Sequence, residues 1–196
     1  PDAVVGVAPH SLRAVTPETL AAVVAAAADG PVHIHAAEQM REVEECLAWS
    51  GKRPVEWLLA NASVDQRWCL IHATHMTGEE SGALAASKAV AGICPLTEAN
   101  LGDGVFNAPD FLDARGRFGV GSDSNVEITA PGELKQLEYS QRLALQARNV
   151  VPRQAGESTG GRLYRGALAG GSQALGRRIG ALAEGLRADF VVLDAA

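Results

Sequence analysis

Short apolar runs alternate along the chain with longer stretches of mixed polarity. The runs lie at residues 4–7, 32–37, 68–73, 89–94 and 117–122, and each is nearly continuous in apolar or small residues. About four to eight residues is a strand's length, and apolar residues of both parities suit a parallel sheet covered on both faces. The intervening stretches favour helix. Thr16-Pro17-Glu18 supplies a capping hydroxyl, a proline at the first helical position and an acid in the first turn, and the alanine-rich run to Ala28 stops at Gly30. Further helices are expected over 39–49, after Pro54, over 78–87, up to Ala114, over 132–149, and as two separate pieces at 154–168 and 172–175. Pro95 leads from the fourth run towards an irregular loop at 101–109. This alternation predicts an α/β fold with a parallel sheet, not an α+β fold. The tail from Ile179 changes character. It alternates and is punctuated by glycine, which reads as a strand and turn opening a separate β domain, so residues 1–178 and 179–196 are assigned to two units.

The ends of these runs carry the chemistry. His10 closes the first, His35 sits in Val32-His33-Ile34-His35, His72 ends Trp68-Cys69-Leu70-Ile71, and Asp123 follows Phe118-Gly119-Val120-Gly121-Ser122. In a parallel barrel the C-terminal strand ends converge on one face, where active sites are built. Four runs finishing on a metal-binding or proton-transferring side chain point to a metal-dependent enzyme. His33 and His35 share a strand face, so both could reach one ion, yet His33 is assigned a structural role. Glu38, three residues beyond His35, is placed to shuttle protons. His75 cannot face the same way as His72 in an extended segment and is expected at the surface. Asp123 taken alone would read as a turn or helix cap; beside His35 and His72 it reads as a ligand or base.

Composition narrows the partners. Seventeen Lys and Arg against 23 Asp and Glu give a net charge of −6, which argues against nucleic acid and acidic membranes. Cys46, Cys69 and Cys94 are odd in number and widely spaced, as expected of buried thiols in a reducing compartment. No run is long enough to span a membrane, so a cytoplasmic protein is expected. The start at Pro1-Asp2 and the apolar finish at residues 188–194 suggest a piece of a longer chain.

Three stretches make a family resemblance specific: Ala8-Pro9-His10-Ser11-Leu12-Arg13, the run Cys94-Pro95-Leu96-Thr97-Glu98-Ala99-Asn100-Leu101-Gly102-Asp103-Gly104, and Gly121-Ser122-Asp123-Ser124-Asn125. With His-x-x-Glu at His35 and the later His72, they resemble the amidohydrolase superfamily, in its aminohydrolase branch and, within it, the formimidoylglutamate deiminases. The tail Gly180–Asp194 resembles that family's re-entry into a β-sandwich. The resemblance implies a TIM-type (β/α)8 barrel, of which this chain supplies strands four to eight, with the start of a small β-sandwich. It implies one zinc ion held by His35 and Asp123, Glu38 as general acid/base, and His72 as the group that polarises the substrate or orients water. His10 and Arg13 would bind the substrate, with Arg13 clamping a carboxylate. The implied reaction is hydrolysis of N-formimino-L-glutamate to N-formyl-L-glutamate and ammonia in histidine degradation, by a homodimer when full length. The family's first-strand His-x-His, two of its four metal ligands, is absent from this sequence. Two alternatives stay open: a nucleobase or nucleoside deaminase, against which 5% aromatic content weighs, and an inactive piece without those ligands.

Overall fold

Thr16 opens the first helix as its sequence predicts, its hydroxyl accepting the Thr19 N–H at 3.2 Å ahead of α1 (Pro17–Ala26). The computed structural model describes residues 3–152, 156–192 and 194. After α1 come β1 (Val32–Ala36), α2 (Met40–Ser50), α3 (Pro54–Asn61), β2 (Trp68–His72), α4 (Gly78–Ser87), β3 (Val90–Ile93), α5 (Pro95–Leu101), α6 (Ala108–Asp113), β4 (Arg117–Val120), α7 (Ala130–Leu145) and α8 (Thr159–Ala174). The four strands form one sheet in the order β1-β2-β3-β4, every neighbouring pair parallel. The α/β architecture read from the alternation is therefore observed.

The register sorts the side chains. Val32, Ile34, Leu70, Ala91 and Phe118 face the helices in one large core, joined by Leu58 and Phe111. On the opposite pleat lie His33, His35, Cys69, Ile71 and Val90. His33 is structural, as expected: its Nε2 bonds the Ala174 carbonyl at 2.8 Å, tying β1 to the end of α8.

Two expectations are corrected. Residues 4–7 do not form a continuous strand; Val7 bridges Val32 and Ser11 bridges His35 beside β1, both in parallel sense. Between them Pro9 has no N–H to donate and His10 turns left-handed at φ 49°, so the ladder cannot run through. The irregular loop expected at 101–109 is observed over 102–107, between the short helix α5, ended by left-handed Gly102, and α6. The two C-terminal helical pieces are one helix, α8, running through Ala169-Gly170-Gly171. Those glycines read as a helix break, but Gly170 serves a close approach, since a Cβ there would sit 1.9 Å from the Phe118 carbonyl oxygen. Beyond α8, the described residues from Ile179 on contain turns and bends but no strand, with the Arg187 N–H returning to the Arg178 carbonyl at 2.9 Å.

The α8–β4 contact gives a paired test. Gly170→Ala forces the helix off the strand and should cost about 1–3 kcal/mol in urea unfolding. Gly171→Ala meets nothing within 4 Å and should stabilise by about 0.5–1 kcal/mol through helix propensity. Equal effects at the two positions would remove the close-approach account.

Candidate active site

Strict alternation along β2 would point His72 to the helix-covered face, because it pairs with buried Ala36. The backbone prevents this. His72 and Ala73 adopt φ of 68° and 50°, and the Ala73 N–H reaches both the Ile71 and Ala36 carbonyls at 3.0 Å. The turn swings the imidazole back over the sheet end, where it stacks on His35 with centroids 5.6 Å apart. His35 in turn lies 4.9 Å from the His10 ring. Left-handed residues recur at each strand end of interest: His10 at 49°, Ala37 at 53° before Glu38, and Asp123 at 51°. Each redirects a side chain that a straight strand would send elsewhere.

The groups brought together include those the sequence singles out. His72 Nε2 lies 3.6 Å from Glu38 Oε1 and 3.7 Å from Asp123 Oδ2, and its Nδ1 is 3.2 Å from Glu98 Oε1. Burial works against charge on this ring. The Glu98 hydrogen bond and the charges of Glu38, Glu98 and Asp123 outweigh it and hold the His72 pKa above its ordinary value. Arg13 brings a guanidinium nitrogen to 3.7 Å from Glu38 Oε2, with 39% of its side chain exposed at the rim. His35 Nδ1 bonds the His10 carbonyl at 2.8 Å. That bond makes Nδ1 the donor and leaves the Nε2 lone pair for another partner, the usual arrangement for a metal-binding histidine. His10 reaches the site through this carbonyl, while its own Nδ1 pairs with Ser11 Oγ at 2.9 Å. His75 is not free surface: its Nε2 bonds the Asp103 carbonyl at 2.6 Å.

Several site residues escape the sequence reading. Glu42, on α2, is 1% exposed and accepts the Ala37 and Glu38 N–H groups, each at 3.0 Å, so it fixes the turn that presents Glu38. Glu98 is 3% exposed and accepts the Cys94 N–H at 2.8 Å in addition to His72. Cys94 completes a close group of potential metal-binding atoms with His72 and Asp123, all within 4.8 Å. Burial and the neighbouring carboxylates push its thiol far above the ordinary range, so Cys94 stays a protonated, poorly donating neighbour. Glu133, from α7, accepts the Leu96 N–H at 2.9 Å, while its Oε1 is buried without a partner among the described residues. Burial, with the charges of Glu98, Glu127 and Asp123, raises its pKa.

The sequence profile of the amidohydrolase family matches residues 2–196. The chain belongs to that family. It is 58% identical over 186 residues to the formimidoylglutamate deiminase of Pseudomonas aeruginosa, which covers 94% of this chain and 41% of that protein. It is 34% identical over 191 residues to a 5-methylthioadenosine/S-adenosylhomocysteine deaminase of Halobacterium salinarum, covering 95% of this chain and 43% of that one. Among solved structures, an amidohydrolase from Brucella melitensis superposes with a TM-score of 0.85 at 62% identity, over 87% of this chain and 38% of that one. An adenosine deaminase from Xanthomonas campestris solved with bound zinc shares the fold, with a TM-score of 0.77 at 24% identity over the same shares. The chain thus spans about two-fifths of the length of the curated relatives it matches. The four-stranded parallel sheet is an arc of this family's TIM-type barrel.

Two measurements probe the supports. Glu42→Leu should destabilise the protein by about 2–5 kcal/mol in urea unfolding, because two buried N–H groups lose their acceptor at once. A loss below about 1 kcal/mol would mean that water replaces the carboxylate. For Glu133 the sign follows from its raised pKa: the folded state holds the proton more tightly than the unfolded state. The resulting penalty is absent below the ordinary carboxylate range and grows as pH climbs through the raised value. Glu133→Gln keeps an acceptor for Leu96 and cannot ionise. Its melting temperature relative to the parent should therefore rise between pH 5 and pH 8; a constant difference would contradict the shift.

Proposed function

We propose that this chain forms part of a hydrolytic deiminase that acts on N-formimino-L-glutamate, giving N-formyl-L-glutamate and ammonia in histidine degradation, with zinc as its metal. The observation that carries the reading is Arg13 beside Glu38, at 3.7 Å. A cation suited to a carboxylate borders the group suited to proton transfer, and 58% identity to a formimidoylglutamate deiminase supports the same substrate.

The donors fit a divalent ion in kind. His35 offers Nε2 with its other nitrogen already engaged, and Asp123 offers a carboxylate 29% exposed at the strand end. They are two ligands where a zinc site takes four, so these two residues would hold one side of the ion. When bound, such an ion lowers the pKa of water to about 7. The remaining chemistry falls to the protein. Water supplies two protons, and the departing imino nitrogen must receive both to leave as ammonia. Asp123 accepts the first as the water oxygen attacks the formimino carbon. Glu38 takes the second from the added hydroxyl and gives it to the nitrogen, Asp123 returns the first to the same nitrogen, and the C–N bond breaks with both carboxylates restored. His72, between these two carboxylates, holds a ring nitrogen towards both and steadies charge developing on the attacked carbon's substituents. Arg13 fixes a substrate carboxylate in a bidentate pair.

Glu38→Gln keeps the side chain's shape and cannot carry a proton, so it should retain zinc while kcat falls about 10²–10⁴-fold. Loss of metal along with turnover would make Glu38 a ligand, and normal turnover would remove it from the reaction. Arg13→Met should leave zinc content unchanged and reduce kcat/KM for N-formimino-L-glutamate about 30-fold or more, mainly through KM. Turnover of an adenosine or guanine substrate with none of N-formimino-L-glutamate would overturn the substrate assignment.

A further inference from the structure

The least explained group at the site is Glu98. Placing a carboxylate at 3% exposure is costly unless its hydrogen bonds require it. The Cys94 N–H at 2.8 Å is one such bond, but a glutamine at position 98 would satisfy that donor without a buried charge. The second partner is the His72 ring. One oxygen, Oε1, receives both the Cys94 N–H and His72 Nδ1. The ring is thereby tied to the backbone at the end of β3 and the start of α5.

The same turn holds the strand beyond. Thr97 Oγ1 donates to the Ser122 carbonyl at 2.9 Å, one residue before Asp123. Leu96 N–H is fixed by Glu133. Residues 94–98 thus connect His72 from β2 to the Asp123 turn after β4. His72 stands in a left-handed turn, where its own backbone does little to define the ring's rotation. Of the three carboxylates around it, Glu98 alone faces Nδ1; Glu38 and Asp123 both face Nε2.

We propose that Glu98 is a positioning residue for His72: by accepting a hydrogen bond from Nδ1–H it fixes the ring so that Nε2, and not Nδ1, faces Glu38 and Asp123. The inference rests on the deiminase reading for its catalytic consequence and on geometry alone for its structural one. Among the described hydrogen bonds Glu98 is engaged by Cys94 N–H and His72 Nδ1, so it acts through the imidazole. Its role is to make one nitrogen of His72 the working atom.

The test reads the two consequences separately. In ¹⁵N-labelled protein without added metal, the His72 ring should show a proton bound to Nδ1, seen as a downfield, slowly exchanging resonance correlated to that nitrogen. Glu98→Gln keeps a carbonyl acceptor for both donors and should preserve the resonance. Glu98→Leu should abolish it. In the zinc-loaded enzyme, Glu98→Leu should lower kcat at least tenfold with KM within about threefold, and Glu98→Gln should recover most of the loss. Absence of the Nδ1 resonance from the parent protein overturns the proposal without any variant having to fold. So does its persistence in Glu98→Leu, or a Glu98→Leu enzyme with parental kcat. Equal kcat losses in the leucine and glutamine variants, with the resonance intact in the latter, would also overturn it. A parent enzyme inert towards N-formimino-L-glutamate would defeat the substrate reading while the resonance still decides the role of Glu98.

Discussion

The site depends on backbone that turns the wrong way. His10, Ala37, His72 and Asp123 all carry a Cβ and all sit at φ between 49° and 68°, at the C-terminal ends of the strands or beside them. Such conformations cost about 1–3 kcal/mol each and persist only where surrounding contacts over-determine them. Each has such contacts here. Ala37 is held by Glu42, whose carboxylate takes the N–H groups on both sides of the Ala37 Cα. The His10 carbonyl accepts both the His35 N–H and its Nδ1. The turn at His72 is closed through Ala73 N–H, and the one at Asp123 is anchored through Ser122. The strained ends let one sheet edge present three imidazoles and two carboxylates to the same space.

Around these turns, buried acids hold much of the loop backbone, and they do so by accepting backbone N–H groups more than by pairing with bases. Glu98 and Glu133 secure the first turn of α5. Glu138 takes the Val150 and Val151 N–H groups at 2.9 and 3.1 Å, joining α7 to the segment that follows it. Glu80 receives Thr77 N–H and Arg53 Nε, linking α3 and α4. A carboxylate offers two oxygens with several lone pairs and can serve two donors from loops lacking ladder partners. In a fold whose active end consists of loops, this is an economical way to satisfy buried backbone while keeping the loops in place.

This division explains what the sequence reveals. The strands at 32–37, 68–73, 89–94 and 117–122 are legible because burial imposes continuous apolar runs, and the site residues because each stands where a run stops. The staples leave no such trace. Glu42 lies on a helix whose Arg41, Glu44 and Glu45 meet solvent, and Glu98 follows buried Thr97 on a helix of only seven residues, so periodicity singles out neither. Only the three-dimensional approach of a turn distinguishes them. Gly170 misleads for a related reason: a residue suppressed for a neighbouring strand looks the same in one dimension as a residue that ends a helix. The segment 4–7 fails as a strand because Pro9 and the turn at His10 matter more than the apolar character of Val4 and Val5.

The electrostatics of the assembled site constrain any reading of its substrate. Glu38, Glu98 and Asp123 surround His72, against which the only guanidinium in the described ion pairs of the cluster is Arg13. Even with His72 protonated, three carboxylates face two cations, and the field repels an anion. Arg13 is also partly spent on Glu38 at 3.7 Å. An acidic substrate therefore needs a further positive charge nearby before Arg13 can turn to it. Under the proposed reading a divalent ion at His35 and Asp123 meets that need: offsetting Asp123 leaves Glu38 and Glu98 balanced by His72 and Arg13. Metal and acidic substrate would then bind cooperatively, since each relieves a repulsion that the other would otherwise meet. Under the same reading, a substrate carboxylate that draws the guanidinium away would leave Glu38 free for the proton transfer proposed for it.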